Sequence, residues 1–419
     1  MKTVTKGRKR TVIRLEVFLL TLSFIMSIGT SFYESSIYYN AAVVLMVLAV
    51  GVHFLLNGTT GIKKRIFAIL TVVLVVLFYN YMLSPLATKK LFVYLSTFLM
   101  GAFLAEDGEE EGIRSLLCVY SFILTLSAVY GVFETLFGNV LDVYTVRTYA
   151  ATYRLHSVYL HPIIFSLMML QAFAINTYLL KNQTLKNILG IINVYCIFMS
   201  LSRSSWLVLA ALIALIMIQK KKTQKKPLLL GKVINKKSIT AIFVLAIIIG
   251  VFIQRADITS YWGTLFNRWQ ALEGSMSVSY RSGVVSAVWQ DRVHDFNPIH
   301  WILGSGYHSV QNAVGRAGIY FGTVGNNVVD NEWVTLSYDF GLMGMILLLY
   351  FTWKSLHVYF SKYESENMWM VALCIIANLL MAFICDTFGW APAGNIVFVF
   401  FGIMFYKKRI KLKDSEGRI

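Results

Sequence analysis

Charge is scarce in this chain. Asp, Glu, Lys and Arg make up 14% of its 419 residues and hydrophobic residues 57%, whereas a soluble domain carries about 25% charged residues. A water-soluble globule is therefore excluded. Cysteine is scarce too: Cys118, Cys196, Cys374 and Cys385 all fall inside apolar runs, where a thiol behaves as a small hydrophobe, so no disulfide framework is expected. There is no P-loop, G-x-G-x-x-G, H-E-x-x-H or C-x-x-C pair, which leaves nucleotide-driven transport and zinc chemistry without motif support. An aromatic-interleaved basic groove for nucleic acid is also missing. So is a convincing internal repeat of the kind transporters carry.

What the chain does have is apolar runs of membrane length, at about 12–32, 37–56, 66–84, 91–105, 113–137, 156–180, 186–202, 204–219, 239–254, 333–353, 369–386 and 390–406. Helices of this length cross roughly 30 Å of hydrocarbon. The expectation is an all-α polytopic membrane protein of about twelve spans. The basic N-terminus leads into a long apolar run without a small-residue cleavage site, which reads as a retained first span. Three regions follow: a membrane bundle over 1–254, a long polar insertion over 255–332, and C-terminal membrane helices with a basic tail over 333–419.

Basic loops resist translocation, so the lysine-rich N-terminus, the Lys63-Lys64-Arg65 loop, the loop from Lys220 to Lys237 and the tail from Lys407 to Arg418 are expected in the cytoplasm. An even number of spans satisfies all four and puts both termini inside, in a plasma (inner) membrane. The run 188–218 is broken by Ser202-Arg203-Ser204-Ser205. As a single helix it would translocate the eight lysines of the next loop, so a hairpin with Arg203 at its outer tip is expected. Each half is then only about 22 Å long, and an arginine recessed from the surface in this way is a functional candidate.

With that topology the outer side holds eight arginines and two lysines, Lys89 and Lys90, while 21 of the 28 inner basic residues are lysine. The net charge of +17 reads mainly as a topogenic and lipid-surface signal. The outer bias to arginine suggests planar, bidentate recognition of phosphate or carboxylate. The acidic cluster Glu106 to Glu111 has no partner His or Asp and reads as a solvated loop. In the insertion, Tyr261, Leu265, Phe266, Trp269 and Leu272 recur at helical spacing, with Arg255 before them and Arg268 beside Trp269. They fit either an interfacial helix or a lid packed on the bundle.

Four stretches carry the chemistry. These are Arg154-Leu155-His156-Ser157-Val158-Tyr159-Leu160-His161-Pro162; Leu201-Ser202-Arg203-Ser204-Ser205-Trp206; Tyr280-Arg281 with Trp289 and then Leu303-Gly304-Ser305-Gly306-Tyr307; and Asp330-Asn331-Glu332-Trp333 with Tyr338-Asp339-Phe340-Gly341-Leu342-Met343-Gly344. In order and spacing they resemble the O-antigen polymerase and ligase superfamily, the Wzy-type polysaccharide polymerases. The resemblance covers about residues 150–345. Val158 stands where that family commonly has glycine.

The resemblance implies a GT-C-type glycosyltransferase that polymerises lipid-linked repeat units on the outer face of the membrane. Its donor and acceptor would be polyprenyl-pyrophosphate-linked oligosaccharides, without metal or cofactor, and its partners membrane lipids and possible flippase and chain-length regulator proteins, with no nucleic acid. The residues themselves bear on this: several arginines can stabilise a departing pyrophosphate in place of a cation, and no Asp-x-Asp pair lies on the outer side. The resemblance assigns Arg203 and Arg281 to the donor phosphates and Asp330 to the general base, with Arg154, His161, Arg268, Arg292 and Glu332 binding substrate.

Each assignment has a plainer alternative. Arg203 can be a hairpin charge, Arg281 a solvated loop charge, Arg154 an interfacial anchor, His161 the residue that starts a span, and Asp330 a helix cap. Gly341 and Gly344 fit close helix packing. A ligase, in which the family often has His at the Asp330 position, and a lipid-linked glycan flippase both remain as rival functions.

Overall fold

A computed structural model of the protein describes residues 2–33, 36–57, 64–107, 109–138, 140–141, 154–223, 276–318 and 329–406. Among them every regular element is a helix: α1 (Lys2–Tyr33), α2 (Ser36–Asn57), α3 (Lys64–Leu83), α4 (Pro85–Asp107), α5 (Glu109–Phe137), α6 (Pro162–Leu179), α7 (Gln183–Met199) and α8 (Arg203–Thr223). After the undescribed stretch come α9 (Met276–His294), α10 (Pro298–Leu303), α11 (Val310–Arg316), α12 (Glu332–Asp339), α13 (Gly341–Phe360), α14 (Glu366–Met381) and α15 (Ala391–Tyr406). Six of these helices are long and apolar enough to cross a membrane, and four shorter apolar stretches, Asn40–His53, Thr71–Leu83, Glu366–Met381 and Ala391–Tyr406, accompany them. The chain is a multi-pass membrane protein.

Helices α14 and α15 are apolar on all sides and buried on nearly all of them, as expected of core elements. The first packs against α6, α8 and α13, the second along α4. Glycine sets how closely α4 and α15 approach. A Cβ on Gly101 would lie 2.0 Å from the Val399 carbonyl oxygen, and one on Gly402 would lie 1.9 Å from that of Phe98, so the two backbones meet directly. Around this centre, α2, α3, α5, α8 and α13 turn large apolar side chains such as Val44, Phe78, Phe122, Leu207 and Leu349 outward, the face lipid covers.

The chain breaks between α7 and α8 at Ser200–Ser202, the expected hairpin position. Two expected runs differ in detail. The one beginning at 156 becomes helical only at Pro162, because Ser157 takes a left-handed φ of 54° and His161 caps the helix. The run beginning at Trp333 is not one helix either. It forms α12, breaks at Phe340, and starts again as the membrane-length α13 at Gly341, whose φ is 58°. A side chain at Gly341 would strike the carbonyls of Trp301 and Ile302. This glycine therefore serves a close approach to the loop helix α10 rather than a helix–helix crossing. The expected span 239–254, the interfacial pattern Tyr261 to Leu272, Arg255, Arg268 and most of the lysine-rich segments 220–237 and 407–418 lie outside the described residues.

The described part of the polar insertion has its own small core. Tyr280, Val284 and Val288 of α9 bury against Val310, Ala313 and Val314 of α11, together with Val329 and Tyr338. The Gly304-Ser305-Gly306 turn docks on the end of α12: Ser305 and Gly306 donate their N–H groups to the carbonyls of Tyr338 and Asp339 at 3.1 Å each, satisfying acceptors a helix C-terminus leaves open. In return, the Asp339 carboxylate accepts from the His308 and Val310 N–H groups at 2.6 and 2.9 Å. Tyr79 and Asn80 of α3 tie the same turn to the bundle, through Gly304 O at 2.7 Å and Tyr307 N at 2.6 Å.

Candidate functional site

Asp330 lies just before α12, with a left-handed φ of 52°. The helix cap is its neighbour Asn331, whose side chain accepts the Val334 N–H at 3.1 Å. That leaves the Asp330 carboxylate outside the helix, where it meets the Arg281 guanidinium of α9 at 3.3 Å. The two side chains are 27% and 30% exposed. Burial raises the Asp330 pKa, and Arg281 opposes that shift. The Nε of Arg281 is buried and has no hydrogen-bond partner. It is an orphan donor beside a carboxylate, and satisfying it with an anionic oxygen recovers the cost of a buried unpaired polar group.

Glu332 opens α12 but does not face solvent. It is 2% exposed. Its N–H donates to the Ala382 carbonyl at 2.8 Å, and its carboxylate accepts the Phe388 N–H at 2.9 Å. Both contacts reach into the connection between α14 and α15, residues 382–390. There Asp386 accepts the N–H of Gly389, the residue next to Phe388, at 3.2 Å, so adjacent backbone donors hold the two carboxylates side by side. Burial first and the neighbouring Asp386 carboxylate second push the Glu332 pKa well up. Lys90 at the start of α4 donates to the Gly389 carbonyl, and the Asp386 charge also reaches Asp330 and His308.

The second group surrounds the α7–α8 turn. Arg154 Nε donates to the Ser200 carbonyl at 3.0 Å, and Leu155 N to Met199 O at 3.1 Å, which lays the segment before α6 along the turn that ends in Arg203. Arg203 is the first residue of α8 and half-buried. Hydroxyls of Ser202, Ser204 and Ser205 bond one another behind it, and Ser205 bonds Ser166 of α6. His161 Nδ1 accepts the Ile163 N–H at 3.2 Å, so it caps α6. Its ring lies 5.5 Å from that of Trp390. Burial, helped by the Arg154 charge, lowers its pKa and keeps it neutral. Beneath this segment His156 pairs with the buried Glu134 of α5 at 3.4 Å. Ser205 touches Met381 and His161 touches Trp390, so this group and the Asp330 group border the same connection.

The sequence-chosen residues thus fall into Arg281–Asp330–Glu332 and Arg154–Arg203–His161. Arg292 is not with either. Its buried guanidinium stacks 4.2 Å over the Tyr338 ring, donates to the Tyr338 carbonyl and pairs with Asp295 at 3.5 Å, which fastens α9 to α12. The residue the sequence reading missed is Asp386. It ends an apolar run and is the only charged residue from Met368 to Tyr406, a signal a search of loops alone passes over. Among the described residues no group of three or more His, Cys, Asp or Glu side chains is arranged to hold a metal ion.

Residues 188–349 match a family model described as O-antigen ligase. No curated protein matches the chain. The match runs from α7 into α13 and spans the Arg203 turn, Arg281 and the Asp330–Glu332 segment. Arg154, His161 and Asp386 lie outside it. It supports the O-antigen ligase and polymerase superfamily, and with it an enzyme that handles lipid-linked glycans in polysaccharide synthesis.

Proposed function

We propose that this protein joins lipid-linked oligosaccharide repeat units into a surface polysaccharide, working on the outer face of the plasma membrane with both termini in the cytoplasm. The observation that carries this reading is Arg281. One arm of its guanidinium pairs with Asp330, while its buried Nε has no partner, an arrangement suited to a phosphate oxygen arriving next to a carboxylate.

In the reaction, an acceptor sugar hydroxyl attacks the anomeric carbon of a polyprenyl-pyrophosphate-linked donor. Asp330 takes the hydroxyl proton, the new glycosidic C–O bond forms, and the bond from the anomeric carbon to the pyrophosphate breaks. Arg281, with Arg203 and Arg154 from the group that borders the same 382–390 connection, stabilises the charge that develops on the departing pyrophosphate. Two donors in a fixed fork suit this task better than a point charge. Glu332 and Asp386, held by adjacent N–H groups, keep the Asp330 segment in register with the connection.

Asp330 stands where the resembling ligases often have His, which favours polymerisation over transfer to a different acceptor. The test is the purified protein in liposomes supplied with lipid-linked repeat units. Growth of a glycan ladder on the accessible side is expected. Movement of the lipid-linked units across the bilayer with no new bond would overturn the proposal, and transfer of a single glycan to another lipid without elongation would replace polymerase by ligase.

A further inference from the structure

Helix α9 has two apolar faces, and among the described residues only one is covered. Val284 and Val288 are buried against α11, but Val285, Trp289 and Val293, four residues apart, form an exposed row. The row continues past the helix to Phe296, which is 91% exposed, and onto α10 with Ile299 and Ile302. Trp289 and Trp301 pack edge to face, with ring centroids 6.3 Å apart, and the Trp301 indole N–H is satisfied by the Asp295 carbonyl at 3.0 Å. The surface is therefore an ordered platform of aromatic and branched side chains. A row of polar side chains, Ser282, Ser286 and Gln290, is exposed beside it on α9.

The platform continues onto a helix of membrane-crossing length and composition. At Gly341 the backbone of α13 comes so close to the Trp301 and Ile302 carbonyls that no Cβ fits. Immediately after it, Leu342, Met343, Ile346 and Leu347 point outward from a membrane-crossing helix. The exposed apolar surface of α9 and α10 thus meets the outward apolar surface of α13 at the first turn of that membrane-length helix. Tryptophan and phenylalanine beside polar residues at that level match the composition of the membrane–water boundary.

We infer that the α9–α10 elbow is a membrane anchor: Trp289, Phe296, Ile299, Trp301 and Ile302 lie in the headgroup and acyl boundary of the leaflet in which α13 begins, and Ser286 and Gln290 lie in water. The anchor is independent of which glycan is joined. If the glycan reading is right, it also has a catalytic consequence. Arg281 is one turn of α9 from Val285, so the anchor fixes its guanidinium at the depth where the pyrophosphate of a membrane-embedded donor lies.

The test uses the full-length protein in phosphatidylethanolamine–phosphatidylglycerol vesicles, with spin labels on Phe296→Cys, Ile299→Cys and Gln290→Cys. Each is made in a Cys118→Ser background, because the other three native cysteines are buried. Collision with oxygen is expected to exceed collision with a water-soluble nickel chelate at 296 and 299, with the opposite ratio at 290. Free access of the chelate at 296 and 299 overturns the inference, since the platform is then solvated. Shielding from both reagents, with spin–spin broadening that grows with protein density, also overturns it, since a second copy of the chain then covers the platform. Neither readout involves glycan transfer, so the anchor can fail while the enzymatic proposal stands, and the reverse.

Discussion

The Arg281 guanidinium and the Asp330 carboxylate meet at 3.3 Å, linking the middle of the polar insertion to the residue before α12. One side chain comes from a helix with its own small core and the other from a left-handed backbone position. The pair is held from both sides, and neither partner spends its charge on capping a helix.

Asp330→Asn is expected to insert and fold as the parent does, because Asn331 supplies the helix cap. Polymer formation should fall by about 10² or more, the usual scale for losing acid–base help. Protein level and ladder formation in the same membranes check both halves. A normal ladder from Asp330→Asn would remove the general base from this position.

Glu332→Gln is expected to keep most activity, since glutamine still offers an acceptor to Phe388 N–H and a donor to Asp386. Glu332→Ala leaves both unpaired in a buried place, a loss of about 1–3 kcal/mol. A drop in the melting temperature of the detergent-solubilised protein for the alanine variant, and little for the glutamine variant, is the expected pattern. Asp386→Ala should reproduce the loss, because it removes the same partner from the other side.

Lysine at Arg203 or Arg281 keeps the charge but loses the fork. Each should cost about 3 kcal/mol of transition-state stabilisation, about 10²-fold in rate. Arg316→Lys should be mild, because its guanidinium is exposed and among the described residues engages Asp291 and the Tyr338 hydroxyl. Arg292→Lys should instead lower stability, since it removes the stack on Tyr338. Initial rates beside melting temperatures separate these cases.

The pH dependence follows from two groups with raised pKa values. Transfer needs ionised Asp330, so its rate should fall as pH drops through that raised pKa. Arg281 is the influence that lowers the Asp330 pKa, so in Arg281→Gln the residual activity should show this acid limb at higher pH. For Glu332 the effect is on stability. Its folded pKa lies above the unfolded one, so its favourable contribution is complete below the ordinary Glu range and is lost as pH rises through the folded value. Melting temperature should therefore decline toward alkaline pH in the parent, and less steeply in Glu332→Gln.

Orientation is open to a labelling test. Cysteine at Gln290, exposed on α9, should react with a membrane-impermeant thiol reagent on intact cells, and cysteine at Lys221, at the end of α8, should not. Reaction at 221 alone would reverse the assigned topology.

The membrane class was legible from composition and run length alone, because the cost of placing charge and unpaired backbone in hydrocarbon leaves few alternatives. The break at Arg203 was legible for the same reason, through eight lysines that resist translocation. The pairing of Leu303–Tyr307 with Tyr338–Gly344 was not. Those stretches were read as separate motifs, and only the fold joins them, by backbone hydrogen bonds between positions thirty or more residues apart. In the fold Arg292 stacks on Tyr338, Asn331 caps the helix, and Glu332 turns inward beside Asp386, none of which the spacing of these residues indicates. Sequence spacing reports which face of one helix a residue occupies, and so it found the candidate arginines and carboxylates. Which of them meet depends on how separate helices pack, and for Asp330, Arg281 and Asp386 that is decided by the docking of the polar insertion onto the α14–α15 connection.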